Sequence, residues 1–185
     1  MARYDKYSKS PRRLQEYDYR SEGLYFITIC TKDRSPCFGR IHSGEMILFE
    51  EGLIVQDCWF RNSDHFPFIF LGEFVVMPNH VHGILGIEKA VLSLNHVDAC
   101  IDATEAAAGY NQLMASLSPK AGSVSRIIGS FKSACTNKIR TMGISDFAWQ
   151  PRFHDHIIRN QKELEKIEDY IRSNPQKWAE DKFYR

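Results

Sequence analysis

The chain has 185 residues, of which 43% are hydrophobic and 25% charged, and its net charge is +1. That length and composition fit one globular domain with its own core, and the balanced charge excludes a uniformly basic nucleic-acid binder, so any such binding must come from local clusters of Lys and Arg. No apolar run approaches the ~20 residues that a membrane-spanning helix needs, and the five dispersed cysteines form no C-x-x-C pair; with no signal peptide at the start, these features predict reduced thiols in a cytoplasmic protein.

Residues 1–22 are polar, rich in Arg, Lys and Tyr, and carry no sustained apolar period. A flexible arm and a binding arm are both open readings; in the second, Arg12 and Arg13 meet phosphates while Tyr4, Tyr7, Tyr17 and Tyr19 stack on bases. Residues 23–185 read as a single domain. Leu24–Lys32 is β-branched and aromatic and predicts a central strand. Phe38–Phe49 predicts a hairpin turning at Ser43-Gly44. Glu50–Asn62 predicts a helix with Leu53, Ile54, Cys58 and Trp59 toward the core. Phe68–Val76 and His80–Ile87 predict two antiparallel strands joined by the break at Met77-Pro78-Asn79.

Strand side chains alternate, so His80 and His82 share one face while Val81 and Gly83 share the other. Two imidazoles spaced this way can chelate one metal ion, and they can equally be two partly buried histidines of a sheet. From Glu88 to Gly122 the pattern dissolves, which predicts an insertion or long connection. Ser123–Met142 predicts the clearest helix, capped by Ser123 or Ser125, with Val124, Ile127, Ile128, Phe131, Cys135 and Ile139 on one stripe. Its other faces carry Arg126, Lys132, Lys138 and Arg140 without an intervening acid. A solvated face and a phosphate-facing surface both suit that pattern.

Phe153–Ile158 predicts a strand holding a second pair, His154 and His156. Asn160 can cap a last helix, with Glu163 completing a capping-box-like start; the helix runs over about 161–173 and stops near Pro175. Leu164, Ile167 and Ile171 form its core stripe. Tyr170 lies at the border of that stripe, and Asn174 shares its face one turn later. A residue before proline is disfavoured in the helical region, which predicts Asn174 at the helix end.

The ordered set M-P-N-H-V-H-G (Met77–Gly83), W-Q (Trp149-Gln150), F-H-D-H-I-I-R (Phe153–Arg159) and Y-I-R-S-N-P (Tyr170–Pro175) resembles the single-tyrosine HUH transposases, most closely the REP-associated tyrosine transposase branch. The likeness spans most of Leu24–Trp178; the long stretch after Ile87 departs from the compact family pattern. It implies an α+β fold, a ferredoxin-like antiparallel β-sheet with helices packed on it. It implies metal-dependent cleavage of single-stranded DNA through a 5′-phosphotyrosine, followed by strand rejoining. By position, Tyr170 matches the nucleophile, His80 and His82 the pair that binds Mg²⁺ or Mn²⁺, and Asn174 the third, helix-borne ligand. The implied partner is single-stranded DNA, with hairpin ends recognised, and relatives act as homodimers or as monomers. Arg12, Arg13, Arg126, Lys132, Lys138 and Arg140 are the candidate DNA contacts. For His154 and His156 a structural or supporting role outweighs direct ligation. A non-cleaving binder of structured single-stranded DNA or RNA, and a rolling-circle replication nickase, are the alternative functions.

Overall fold

The computed structural model describes residues 20–88 and 122–184. The basic and aromatic arm up to residue 19, with Arg12 and Arg13, lies outside the described residues, as does the long connection over 89–121.

Four strands make the main sheet. They are β1 (Gly23–Cys30), β4 (Ile69–Met77), β5 (His80–Ile87) and β6 (His154–Ile158), and β2 (Gly39–His42) pairs with β3 (Glu45–Leu48) in a separate hairpin. Helix α1 (Glu50–Phe60) and the short α2 (Asn62–His65) follow the hairpin, α3 (Val124–Thr141) precedes β6, and α4 (Gln161–Ser173) follows it. The sheet order is β4-β5-β1-β6, and every neighbouring pair is antiparallel. With one helix after β1 and another after β5, this is the split β-α-β order of a ferredoxin-like α+β fold. β1 lies inside the sheet because Tyr25, Ile27 and Ile29 are buried on one face while Thr28 and Cys30 are buried on the other.

The two faces are covered unequally. Tyr25, Ile27, Ile29, Val81 and Leu85 pack under α1 and α3, which contribute Val55, Trp59 and the full predicted stripe Val124, Ile127, Ile128, Phe131, Cys135 and Ile139. Ser123 caps α3, its Oγ accepting from the Arg126 N–H at 3.3 Å. On the opposite face Ile84 and Ile158 meet Ile171 of α4, with Leu24, Phe26, Val75, Leu164 and Ile167 around them. The faces hold His80 and His82 on the α4 side.

Two expectations need correction. Leu53 does not face the core: it is 54% exposed, and Gly52, Val55, Cys58 and Trp59 make the buried face instead. The cause is a close approach at Gly52, where an added Cβ would meet the carbonyl oxygen of Phe38 at 2.2 Å. That contact turns the helix so that position 52 points inward and Leu53 outward. The predicted single helix over 50–62 is also divided, with α2 starting at Asn62. Among the described residues four thiols are free, and no described helix is long and apolar enough to cross a membrane.

Candidate active site

The predicted histidine pair heads β5, directly after a two-residue turn. Met77 pairs with His80 across that turn, and the turn is clamped from outside by the Thr31 N–H on the Asn79 carbonyl (3.0 Å) and the Phe38 N–H on the Pro78 carbonyl (3.0 Å). His80 and His82 are both fully buried, and their Nε2 atoms stand 3.0 Å apart. Each Nδ1 has its own partner. His80 Nδ1 meets Asn79 Oδ1 at 2.9 Å, and His82 Nδ1 meets Thr28 Oγ1 at 2.8 Å.

Those partners set where protons sit. Asn79 Nδ2 donates to the carbonyls of Phe183 (2.9 Å) and Arg34 (3.2 Å), so its Oδ1 is an acceptor and Nδ1 of His80 must carry the proton. The lone pair of His80 is then on Nε2, the atom aimed at His82. Thr28 has a hydroxyl that donates or accepts, so it tolerates either tautomer of His82. Burial pushes His80 down to about 4, helped by the positive charges of Lys182 and Arg34 and opposed by Asp181. Burial also holds His82 well below its ordinary value, with His80, Lys182 and His154 adding to it. Both imidazoles are therefore neutral near pH 7, as a metal ligand must be.

Tyr170 reaches this pair from α4. Its Oη lies 3.2 Å from His82 Nε2 and donates to Asp181 Oδ2 at 3.3 Å. The phenol ring packs edge-on against His82 (centroids 5.2 Å apart) and Phe26 (6.0 Å), while Phe26 stacks on His82 at 5.2 Å. Burial and the neighbouring Asp181 carboxylate raise the Tyr170 hydroxyl to about 12. Asn174 follows one turn later, 2% exposed, its Nδ2 donating to the same Asp181 Oδ2 at 3.1 Å. Its Oδ1 is buried and has no donor among the described residues. The amide cannot be turned around to cure this, because its oxygen would then face a carboxylate. Asn174 is at the C-cap as expected, but its backbone is helical (φ −59°, ψ −43°). The turn continues through Pro175, with the Lys177 N–H bonding the carbonyls of Ser173 (3.2 Å) and Asn174 (3.1 Å), and that continuation outweighs the pre-proline preference.

The remaining predicted residues are distributed as follows. His154 pairs with Thr28 across β1–β6, and Thr28 pairs with His82 across β1–β5, so all three share one row on the α4 face. His156 bonds Glu163 Oε1 at 2.7 Å, while Glu163 also takes the Arg159 N–H at 2.8 Å and gives its own N–H to Asn160 Oδ1 at 2.9 Å. His156 thus belongs to the capping network of α4. On α3, Lys132 donates to the carbonyls of Gln150 and Pro151, Arg140 to that of Phe147, and Lys138 pairs with Asp57 at 2.8 Å, while Arg126 is exposed. This helix lies across the sheet from the histidines, so none of its cations joins the site.

Sequence reasoning missed Asp181, Phe183 and Thr28. The Phe183 ring covers His80 with centroids 4.5 Å apart, flanked by the Arg34 guanidinium at 5.0 Å and the Lys182 ammonium at 4.9 Å from its centre. Thr28 could be found only through the strand register. Asp181 carried no signal beyond being an acid in a short amphipathic tail.

No family model matches the chain. An uncharacterised protein of Haemophilus influenzae is 36% identical over 175 residues, 93% of this chain and 91% of its own length. A second protein of that organism, provisionally assigned to the REP-associated tyrosine transposases, is 24% identical over 160 residues, 86% of this chain and 74% of its own. A solved structure of a REP-associated tyrosine transposase bound to a REP hairpin shares the fold, with a TM-score of 0.55 over 92% of this chain and 77% of that one at 20% identity. The chain belongs to one family with that uncharacterised protein, and it resembles the REP-associated tyrosine transposases in fold and, more distantly, in sequence. The site brings together two neutral imidazoles, a phenol, an amide oxygen that has no donor among the described residues, and a carboxylate. Imidazole with hard oxygen donors suits a divalent cation such as Mg²⁺ or Mn²⁺, so the residues present fit the metal that the resemblance implies.

Proposed function

We propose that the protein cleaves single-stranded DNA with Tyr170 as nucleophile and rejoins strands through the resulting 5′-phosphotyrosine. The observation that carries this reading is the 3.2 Å approach of Tyr170 Oη to His82 Nε2, beside His80, from a helix 88 residues further along the chain. His80, His82 and Asn174 would hold the divalent cation, which when bound supplies Lewis-acid polarisation of the scissile phosphate. Tyr170 Oη attacks phosphorus in line, the Oη–P bond forms as the P–O3′ bond breaks, the phenolic proton leaves, and the 3′ oxygen takes up a proton. The phosphodiester is conserved in the covalent adduct, so a 3′-hydroxyl of another strand can attack it and restore a DNA backbone without ATP. Thr28 and Asn79 orient the imidazoles through their Nδ1 atoms, and Phe26 forms a wall that fixes the rings of His82 and Tyr170. All the named side chains come from one chain.

The REP hairpin in the related structure supports a hairpin end as substrate. Arg126 and Lys138, with Arg12 and Arg13 of the arm, are the proposed phosphate contacts, while Lys132 and Arg140 are held on backbone carbonyls. His154 supports the site from the row behind Thr28. The test of the reading is Tyr170→Phe, which removes only the phenolic oxygen. The variant is expected to bind hairpin single-stranded DNA as the parent does and to form no covalent protein–DNA species on a denaturing gel. An adduct of undiminished yield would move the nucleophile to another residue.

A further inference from the structure

The 3₁₀ turn Trp178–Glu180 returns the chain toward the histidines. Asp181 directly after it uses both carboxylate oxygens: Oδ2 accepts from Tyr170 and Asn174, and Oδ1 accepts from the Phe183 N–H at 2.6 Å. One oxygen of Asp181 and one ring nitrogen each of His80 and His82 lie within 4.8 Å of one another. The segment is held on both sides, since Arg34 Nη1 donates to the Lys182 carbonyl at 3.2 Å and Asn79 Nδ2 donates to that of Phe183.

Charge gives the second argument. Arg34 and Lys182 act on His80 as positive neighbours and Asp181 as the negative one. Neutral imidazoles and a neutral amide cannot offset those cations for an incoming dication. A carboxylate within reach of the same point can. Hard divalent ions also favour carboxylate oxygen as a ligand.

We infer that Asp181 is an additional, anionic ligand of the cation held by His80 and His82, delivered by the C-terminal segment. The inference rests on the metal reading above and deepens it. Binding of the ion moves the carboxylate oxygen from Tyr170 and Asn174 to the ion. The phenol and the Asn174 amide are released together, because both donate to that one oxygen.

The test combines a structure and an affinity. Crystals of the full chain grown with Mn²⁺ locate the ion by anomalous scattering. The expected density bonds both imidazoles and a carboxylate oxygen of Asp181, at about 2.0–2.2 Å for such ligands. In calorimetry, Asp181→Asn is expected to bind Mn²⁺ at least about tenfold more weakly than the parent, the loss typical even of residues behind the ligands. An ion on both imidazoles with Asp181 still bonded to Tyr170 and Asn174 overturns the inference and leaves the metal reading intact; so does Mn²⁺ affinity unchanged in a folded Asp181→Asn variant. If His80→Ala binds Mn²⁺ as tightly as the parent and no ion appears between the imidazoles, both readings fall. The crystal result stands on the unmodified chain, so misfolding of a variant leaves the test decisive.

Discussion

The two histidines of the proposed mechanism are fully buried, and burial makes them a pH-dependent cost. In the unfolded chain each imidazole titrates near 6.5, whereas in the folded chain His80 is held at about 4 and His82 well below its ordinary value. Between those values the unfolded chain binds more protons than the folded one, so stability falls as pH drops from about 6.5 toward 4. The His80 shift alone corresponds to about 3 kcal/mol over that window. Denaturant titrations in metal-free buffer at pH 7 and pH 4.5 should therefore show a marked loss in the parent. His80→Gln should lose about 2–3 kcal/mol less than the parent between the two conditions. Equal losses would mean that His80 is protonated in the folded state. At this scale the motif residues His80, His82, Tyr170 and Asn174 were legible, because they sit at fixed short spacings in strand and helix. Asp181 and Thr28 were not. One joins the site through a tail that folds back, the other through strand register, and neither relation leaves a local pattern in the sequence.

At the scale of elements, period decided what could be read. Helix α3 is strongly two-sided, and all six of its predicted core positions are buried. Helix α4 was bounded correctly because Asn160 and Glu163 mark its start. Helix α1 has apolar residues around much of its circumference, so the orientation depended on the tertiary contact at Gly52 and Leu53 was misplaced. Glycines at element contacts carry similar hidden information. A Cβ at Gly83 would lie 2.5 Å from the Trp59 ring and 2.9 Å from that of Phe74, two rings stacked 4.7 Å apart between β5 and α1. Gly83→Ala must displace that stack, and such overpacking costs typically about 1–3 kcal/mol. Gly129, on the exposed side of α3, has nothing within 4 Å of the same added atom. Gly129→Ala should instead stabilise the protein by up to about 1 kcal/mol through helix propensity. Denaturation midpoints of the two variants should move in opposite directions; a shared direction would refute the packing account of Gly83.

At the scale of the whole molecule the sheet separates two groups of side chains. The α4 face holds Tyr170, the imidazoles and Asp181, and the opposite face carries α3 with its row of cations. Those cations differ in what they are free to do. Lys132 is half-buried on two backbone carbonyls, and burial lowers its ammonium from the usual value. Its removal should act on stability. Lys138 holds Asp57 in a pair exposed on both sides, an arrangement worth little, so a phosphate can displace the carboxylate at small cost. Arg126 is exposed at the start of the helix. If DNA crosses this face, the charge reversal Arg126→Glu with Lys138→Glu should weaken hairpin binding at every sequence and flatten the dependence of log Kd on log salt by roughly one unit per lost contact. Because the sheet stands between α3 and Tyr170, the rate of adduct formation at saturating DNA should stay that of the parent. Fluorescence anisotropy across a salt series gives the first quantity, and single-turnover adduct formation gives the second. Unchanged affinity and slope would remove α3 from the DNA path and leave recognition to the face that bears the tyrosine. A slower step at saturation would mean that the two faces are coupled through the sheet, against the separation argued from its packing.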